Sequence, residues 1–241
     1  MSQRSHQSLP EVAPMENGFR HEYKYLISKA DAELLKCRLP HFMERDPHVG
    51  KAGQYTIRSL YFDDFEGGAF YDKVDGVNYR AKYRIRFYNY ELTYMKLEKK
   101  EKLGHLTRKT AQTITASDAR ALEQGRTAPC PDTQSGLIAE LQQKIALSGL
   151  RPRVVVDYDR TPFICRDGNT RITVDENIRT KPYSAKLSAS PEAMIPVLEP
   201  DQVVLEVKFD DFLPGYLADV LADIPRTAMA ISKFALCMGH I

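Results

Sequence analysis

The fold of this 241-residue chain is decided by the stretch Asn78-Tyr79-Arg80-Ala81-Lys82-Tyr83-Arg84-Ile85-Arg86-Phe87. As a β-strand, it sends alternate side chains to opposite faces, so that one face is cationic and the other is aromatic and aliphatic. Like charges on one face repel one another, and an anion with several charges is the simplest partner that would stabilise them together. The stretch therefore predicts a strand with one apolar face and one anion-binding face.

The same alternation of charged and apolar residues recurs along the chain. Residues 94–102 follow a turn near Asn89 and predict a second such strand, whose charged face carries Lys96, Glu98, Lys100 and Lys102. Further strand patterns occupy residues 19–27, 53–62, 106–114, 153–162, 170–178 and 203–209. Helical spacing and capping signals predict helices near residues 29–39, 117–124, 135–148 and 214–222.

A single alternating strand is more often the solvated face of an open antiparallel sheet than part of a binding site. Here the pattern returns in about eight strands, and the helices are too few to cover a very wide sheet. We therefore expect an α+β fold, an antiparallel closed β-barrel of about eight strands with peripheral helices and a polar interior. Residues 1–15 are expected to form a flexible tail, and residues 16–241 a single barrel domain.

The composition limits which binding partners and which cellular compartment are expected for this chain. The formal net charge is only +2, so the domain-wide basic excess of nucleic-acid-binding proteins is missing and no nucleic acid partner is expected. Cys37, Cys130, Cys165 and Cys237 stand alone without metal-ligand spacing, which favours free thiols and a cytoplasmic location. No apolar run approaches the roughly 18 residues needed to cross a bilayer, and the polar N-terminus lacks a secretory signal.

The charged faces predict phosphate chemistry carried by side chains, because the chain contains no phosphate-binding glycine loop and no kinase motif. Arginine offers forked donors to phosphate oxygens and lysine a compact positive charge. The carboxylates Glu22, Glu98 and Glu206 have two interpretations: pairing with the cations, or holding Mn²⁺ or Mg²⁺ together with phosphate oxygens and water. Glu206 is the first choice for a metal ligand. The interpretation favoured for Tyr23, Tyr61, Tyr79 and Tyr158 is packing.

Several short motifs, weak singly, occur in a specific order between Phe19 and about Phe234. They are Arg20-His21-Glu22-Tyr23-Lys24-Tyr25, Ile57-Arg58-Ser59-Leu60-Tyr61-Phe62-Asp63, Arg80-Ala81-Lys82-Tyr83-Arg84-Ile85-Arg86, Leu97-Glu98-Lys99-Lys100, Tyr158-Asp159-Arg160, Arg171-Ile172-Thr173-Val174-Asp175, Leu205-Glu206-Val207-Lys208 and Ser232-Lys233-Phe234. In this order they resemble the polyphosphate polymerase domain of the vacuolar transporter chaperone (VTC) type, within the triphosphate tunnel metalloenzyme superfamily.

The resemblance implies a tunnel that holds the phosphates of a nucleoside triphosphate, with a divalent metal at Glu206. Together with the alternation, it leads us to assign catalysis to Arg84, Arg86, Lys96, Arg171 and Lys233. Substrate binding is assigned to Lys24, Arg58, Arg80, Lys82, Lys100, Arg160 and Lys208, and metal binding to Glu206, Glu22 and Glu98. Arg20 replaces the first acid of the superfamily's E-x-E-x-K motif, which favours the polymerase branch. Ala230 stands where polymerases carry a lysine, which favours a hydrolase.

The expected function is transfer of the γ-phosphate of ATP to a growing inorganic polyphosphate chain, with Mn²⁺ or Mg²⁺ as cofactor. The cations extend over most of the strand lengths, so the lining could hold a product longer than the substrate. Two alternatives stay open: a metal-dependent hydrolase of tripolyphosphate or nucleoside triphosphates, and a non-catalytic module that binds polyphosphate or RNA.

Overall fold

The structure is a computed structural model. It describes residues 19–47, 49–50, 52–104, 106–126, 136–182, 185–225, 227–228 and 231–240. The predicted tail at residues 1–15, Cys130 and Ala230 lie outside the described residues. The expectations for them therefore stay predictions.

Eight long strands and three two-residue strands form one antiparallel sheet in the described part of the chain. The long strands are β1 (Arg20–Ser28), β3 (Tyr55–Asp63), β4 (Tyr79–Tyr88), β5 (Glu91–Leu103), β6 (Leu106–Ile114), β7 (Arg151–Cys165), β8 (Thr170–Thr180) and β10 (Gln202–Phe209). The short ones are β2 (Glu44–Arg45), β9 (Ile195–Pro196) and β11 (Thr227–Ala228).

Pairing between β7 and β8 closes the sheet into a barrel. The long strands follow the order β7-β3-β4-β5-β6-β1-β10-β8, and β8 then pairs again with β7 in a register that includes Thr161 opposite Val174. Closure removes the two exposed edges that an open sheet would present. The expected closed antiparallel barrel with peripheral helices is confirmed.

Six α-helices occur in the described residues. They are α1 (Lys29–Arg38), α2 (Gly68–Val74), α3 (Ala116–Glu123), α4 (Leu137–Ser148), α5 (Gly215–Ala222) and α6 (Lys233–Met238). Four of them begin and end close to the predicted helices, and their starts follow local chemistry. Ser28 caps α1 by accepting a hydrogen bond from the amide of Asp31, and Thr115 and Asp118 form a capping box at α3.

The apolar faces of the strands pack outward against the helices. Tyr83, Ile85 and Phe87 of β4 belong to a core cluster shared with α3 and α4, and a second cluster joins β1, β8 and β10 to α1 and α5. The helix α6 differs because it packs on the inner face, where the ring of Phe234 lies 5.2 Å from that of Tyr61. The charged faces therefore point into the barrel.

Arg58 is an exception to the predicted lining. On β3 the residues that face the barrel interior are Tyr55, Ile57 and Tyr61, so Arg58 points outward, and it is only 2% exposed. Its guanidinium makes two hydrogen bonds to Asp157, at 2.8 and 2.7 Å, and donates to the carbonyl of Leu187 at 3.0 Å. The expectation that Arg58 lines the cavity is wrong, because strand alternation leaves open which face is inside and a buried carboxylate holds this guanidinium outside.

Substitution Arg58→Met is expected to destabilise the fold without changing the interior. It would leave the carboxylate of Asp157, which has no exposed surface, without its cation, so the free energy of unfolding should fall by about 3–5 kcal/mol. Urea unfolding followed by circular dichroism measures this loss. The double variant Arg58→Met/Asp157→Leu should recover part of it. A large loss of tripolyphosphate affinity by the folded Arg58→Met protein would contradict the outward placement.

Candidate functional site

The barrel encloses a cavity of about 360 Å³, here called the main cavity. Among the described residues that line it, twelve lysine and arginine side chains surround two carboxylates, Glu22 and Glu206. The cations are Arg20, Lys24, Lys82, Arg84, Arg86, Lys100, Arg108, Lys109, Arg160, Arg171, Lys208 and Lys233. An enclosed cation surplus of this size is suited to a ligand with several negative charges.

Arg84 and Arg86 of β4 are held by the buried carboxylate of Glu98 on β5. Oε2 of Glu98 accepts from Nε of Arg84 at 2.8 Å and lies 3.7 Å from Nε of Arg86, while Oε1 accepts from Nζ of Lys109 at 3.2 Å. Burial alone would raise the pKa of Glu98, but Arg86, Arg84 and Lys109 outweigh it and hold that pKa far below its usual range. Glu98 therefore serves as the counterion that fixes two arginine forks in the cavity.

Two tyrosine hydroxyls orient the same arginines. Arg84 donates from Nη1 to the hydroxyl of Tyr61 at 2.7 Å, and Arg86 donates from Nη2 to the hydroxyl of Tyr158 at 3.0 Å. These contacts hold the guanidinium planes before any ligand binds, which lowers the entropy lost on binding.

Three lysines surround the carboxylates of Glu22 and Glu206. Nζ of Lys24 lies 2.9 Å from Glu22 Oε1 and 3.5 Å from Glu206 Oε2. Nζ of Lys208 lies 2.5 Å from Glu206 Oε1 and 3.5 Å from Glu22 Oε2, and Nζ of Lys100 is 2.6 Å from Glu22 Oε1. Burial opposes ionisation, but the lysines outweigh it and hold the pKa of both carboxyls well below the usual range. Both carboxylates are thus charged and adjacent.

A third ion-paired group comes from β7, β8 and α6. Arg160 makes two hydrogen bonds to Asp175, at 2.6 and 2.7 Å, and Nζ of Lys233 lies 2.6 Å from the same carboxylate. The side chain of Ser232 caps α6 by accepting from the amide of Ala235, and so places Lys233 in the first turn. The barrel strands and α6 thereby bring together cations that are more than seventy residues apart in sequence.

Arg171 of β8, which lies opposite Lys208 of β10, reaches into the main cavity from beside β2. Its Nη2 donates to Asp46 at 2.8 Å and to the hydroxyl of Tyr55 at 3.1 Å. Arg171 is therefore positioned by an acid and a phenol that sequence patterns did not single out.

A smaller second cavity of about 100 Å³ adjoins the main one and shares Glu22, Lys24, Lys82, Lys100 and Ser232 with it. Its own lining adds the basic side chains of Lys73, Arg80 and Lys102.

Three lysines of the second cavity, Lys73, Lys82 and Lys102, have lowered pKa values. Burial, followed by the nearby charges of Lys24 and Arg80, lowers the pKa of Lys82 to about 7. Burial and neighbouring cations also lower the pKa of Lys73 and Lys102. The two cavities form one continuous basic interior.

The structure brings most of the predicted site residues to this interior. Those that line one or both cavities are Lys24, Arg80, Lys82, Arg84, Arg86, Lys100, Arg160, Arg171, Lys208, Lys233, Glu22 and Glu206.

Besides Arg58, two predicted site residues line neither cavity. Lys96 lies near the hairpin end of β5 and lines neither cavity; its ammonium sits 5.2 Å from the ring centre of Tyr94. This position does not support the catalytic role assigned to Lys96, which stays a prediction. Glu98 lines neither cavity, unlike Glu22 and Glu206, so its predicted metal role is not supported.

Several interior residues escaped the sequence interpretation. Tyr61 and Tyr158 were expected only to pack, yet their hydroxyls orient the arginines. Asp175 lies on the same face of β8 as Arg171, so the alternation along this strand could have predicted that Asp175 faces the barrel interior. Lys73 carried no such signal, because it comes from the short helix α2 and not from a barrel strand.

The acidic residues fit a metal that takes few protein ligands. In the described residues, no group of three or more His, Cys, Asp or Glu side chains could hold a metal ion. Mg²⁺ and Mn²⁺ are commonly held by one or two carboxylates, with phosphate oxygens and water completing the coordination. Glu22 and Glu206 supply such a pair, beside the cations that would bind the phosphates.

The sequence of residues 19–240 matches the family model described as the VTC domain. Among curated proteins, no match to the chain is found. In the described part of the chain, no helix is long and apolar enough to cross a membrane.

Solved structures with a similar fold include two candidate adenylate cyclases. That from Bacillus halodurans has 15% identity and a TM-score of 0.49, over 85% of this chain and 87% of that one. That from Vibrio parahaemolyticus has 13% identity and a TM-score of 0.44, over 85% and 83%. A protein of Pyrococcus horikoshii OT3 has 11% identity and a TM-score of 0.46, over 91% and 99%. Similarity at this level says nothing about activity.

Substitution Lys82→Met is expected to stabilise the ligand-free protein in a pH-dependent way. Lysine in the unfolded chain holds its proton up to about pH 10.5, whereas in the fold the pKa of Lys82 is about 7. The charged form therefore opposes folding fully below pH 7, and this opposition fades as the pH rises toward 10.5. The gain in melting temperature should be largest at pH 6–7 and vanish near pH 10.5. An equal gain at every pH would contradict it.

Proposed function

The chain belongs to the VTC domain family, and on that premise we propose that it is a metal-dependent polyphosphate polymerase, which transfers the γ-phosphate of ATP to a growing inorganic polyphosphate chain. Family membership supports a more general statement, namely that the function of the chain is related to polyphosphate or to triphosphates. The specific acceptor, the use of ATP and the metal belong to the proposal. A cytoplasmic location stays a prediction from the isolated cysteines.

The observation that carries the proposal is the composition of the main cavity, with its twelve cations and two adjacent carboxylates. A nucleoside triphosphate and a divalent cation supply the complementary charges, since phosphate oxygens pair with the lysines and arginines and the metal pairs with the acids. A ligand without a metal would leave the two acids without a new partner, and a metal without an anion would do the same for the cations.

Phosphoryl transfer suits a cavity that holds few candidate nucleophiles but many positioned cations. Negative charge is spread over the oxygens of the transferring group, so catalysis depends on positioning and on charge stabilisation. The guanidinium forks of Arg84 and Arg86 are fixed by Glu98 and by two phenols, and Arg160 and Lys233 are fixed by Asp175. We assign to these four cations the stabilisation of that charge, and to Lys24 and Lys208 the binding of the remaining phosphates.

The residues assigned to the metal are Glu206 and Glu22. Bound there, Mg²⁺ or Mn²⁺ would supply further neutralisation of the phosphate oxygens. If Glu22 and Glu206 held a metal, Lys24 and Lys208 would lose their present partners and would be available to phosphate oxygens. The proposal thus includes an exchange of ion-pair partners inside the cavity.

The second cavity favours a chain-building enzyme over a hydrolase. A lone triphosphate needs one compact cluster of cations, whereas here the basic lining continues through Lys82 to Lys73, Arg80 and Lys102. A bound product in that extension would already be placed as the next acceptor, which favours another transfer over release.

The decisive experiment incubates the protein with ATP and Mn²⁺ or Mg²⁺, with and without a short phosphate primer, and sizes the products on a gel. We expect a ladder of phosphate chains and stoichiometric ADP. ADP with orthophosphate and no ladder would identify a triphosphate hydrolase of the same fold. Binding of polyphosphate or RNA without turnover of ATP would identify a non-catalytic module.

Substitution Glu206→Gln tests the metal site, because it removes a charge at nearly constant shape. We expect turnover to fall by about 100-fold or more, since a metal contributes several kcal/mol of charge stabilisation. Mn²⁺ affinity, followed by electron paramagnetic resonance, should fall as well. Glu140→Gln is the matched control, because Glu140 pairs with Lys99 outside the barrel. Unchanged Mn²⁺ affinity in a folded Glu206→Gln protein would refute the assignment.

A further inference from the structure

The cations of the interior differ in whether a carboxylate already compensates them. Eleven of the twelve cations of the main cavity have a carboxylate oxygen within 4.0 Å. Among the described residues Lys82 is the exception, and Lys73, Arg80 and Lys102 of the second cavity share this property. Nearly every cation of the main cavity thus has an acidic partner, although several share one carboxylate, whereas the cations that line only the second cavity have none in the described part of the chain.

Lys82 occupies the junction of the two cavities. Its side chain lines both, lies opposite Lys100 in the register of β4 and β5, and has its ammonium 4.2 Å from the ring centre of Phe234 on α6. Its one polar contact with a side chain among the described residues is to the hydroxyl of Ser232, at 3.5 Å. A ligand that spans both cavities would therefore contact this ammonium.

We propose that Lys82 binds the end of the acceptor phosphate chain at the junction and thereby makes phosphate, rather than water, the acceptor of the transferred phosphoryl group. The inference rests on the proposed function and adds a residue that determines acceptor choice. Its basis is that Lys82 is uncompensated and faces both the donor side and the basic extension.

The choice between phosphate and water is made by which oxygen lies next to the γ-phosphorus of ATP. A terminal oxygen of the acceptor chain attacks the γ-phosphorus of ATP and forms a new P–O bond. The bond from the γ-phosphorus to the bridging oxygen breaks, and its electron pair leaves with ADP. Water attacks the same phosphorus in hydrolysis and releases a proton and orthophosphate. An ammonium that holds the chain oxygen near the γ-phosphorus favours the first route by proximity and excludes water from that position.

The groups around Lys82 explain why a polyanion is the partner that fits. Lys24 faces it from β1, Lys100 from β5, Lys73 from α2 and Arg80 from its own strand, and Asp63 of β3 is the acid that most favours its charged form. Because these neighbours are mostly cations, Lys82 gains little from the protein as an ammonium. An anion of several charges compensates all of them together.

The test uses the whole chain and the variant Lys82→Met, which keeps the length of the side chain and removes its charge. The donor site is first saturated with a non-hydrolysable ATP analogue, and tripolyphosphate is then titrated by calorimetry. We expect its affinity to fall about tenfold or more, as for loss of a hydrogen bond to a charged group, with little change in affinity for the analogue. In turnover, the ratio of chain extension to orthophosphate release should fall by a similar factor.

Two further variants sharpen the result. Lys82→Arg keeps the charge and should retain most of the tripolyphosphate affinity. Lys99→Met removes a lysine from the outer face of β5, where it pairs with Glu140, and should change neither affinity nor product ratio.

Equal tripolyphosphate affinity in Lys82→Met and wild type would overturn the inference, and so would an equal loss of affinity for the ATP analogue. If wild type makes no chains but Lys82→Met still loses tripolyphosphate affinity, the role of Lys82 in binding stands and the proposed polymerase function fails.

Discussion

The structure depends on compensating charges that barrel closure encloses. Moving an ammonium or a carboxylate out of water costs several kcal/mol, and only close pairing offsets it. Each cationic strand face therefore meets an acid from another strand. Glu98 serves Arg84 and Arg86, Asp175 serves Arg160 and Lys233, and Glu22 and Glu206 share their lysines. These pairs make a basic interior compatible with a stable fold.

The same pairs define what a ligand must do. A triphosphate that entered alone would compete with carboxylates for cations that are already satisfied. On the proposed function, a triphosphate bound together with a divalent metal would supply a partner to both sides, because the metal would pair with the acids and the phosphates with the cations. The three cations that line only the second cavity, Lys73, Arg80 and Lys102, have no carboxylate partner among the described residues, so an anionic ligand would compensate them.

The site contains two kinds of cation. Arg84, Arg86 and Arg160 are fixed by acids and phenols, and a rigid fork of this kind suits charge that must be met in one geometry. Lys73, Lys82 and Lys102 have no such support, and their pKa values are lowered by burial and by the nearby charges of Arg80 and Lys24. A long homogeneous polyanion has the same charge at every repeat, so loosely held lysines would suffice to retain it while it moves. On the proposed function, the distribution of counterions would separate a place for chemistry from a place for retention.

Alternation along single strands was enough to predict the closed antiparallel barrel and most of its lining, because side-chain parity is a local property of β-structure. Lys24, Arg84, Arg86 and Glu206 were found in this way, and Arg160 through the family resemblance. Parity does not decide which face of a strand is inside, so Arg58 was placed in the lumen although Asp157 holds it outside. The length of a strand does not show how far a cavity extends along it, so Lys96 was assigned to the site although it lines neither cavity. Only the tertiary structure decided the pairing of Glu98, the tyrosines that orient the arginines, and the second cavity built with α2 and α6. These features depend on contacts between residues far apart in sequence, which no local pattern records.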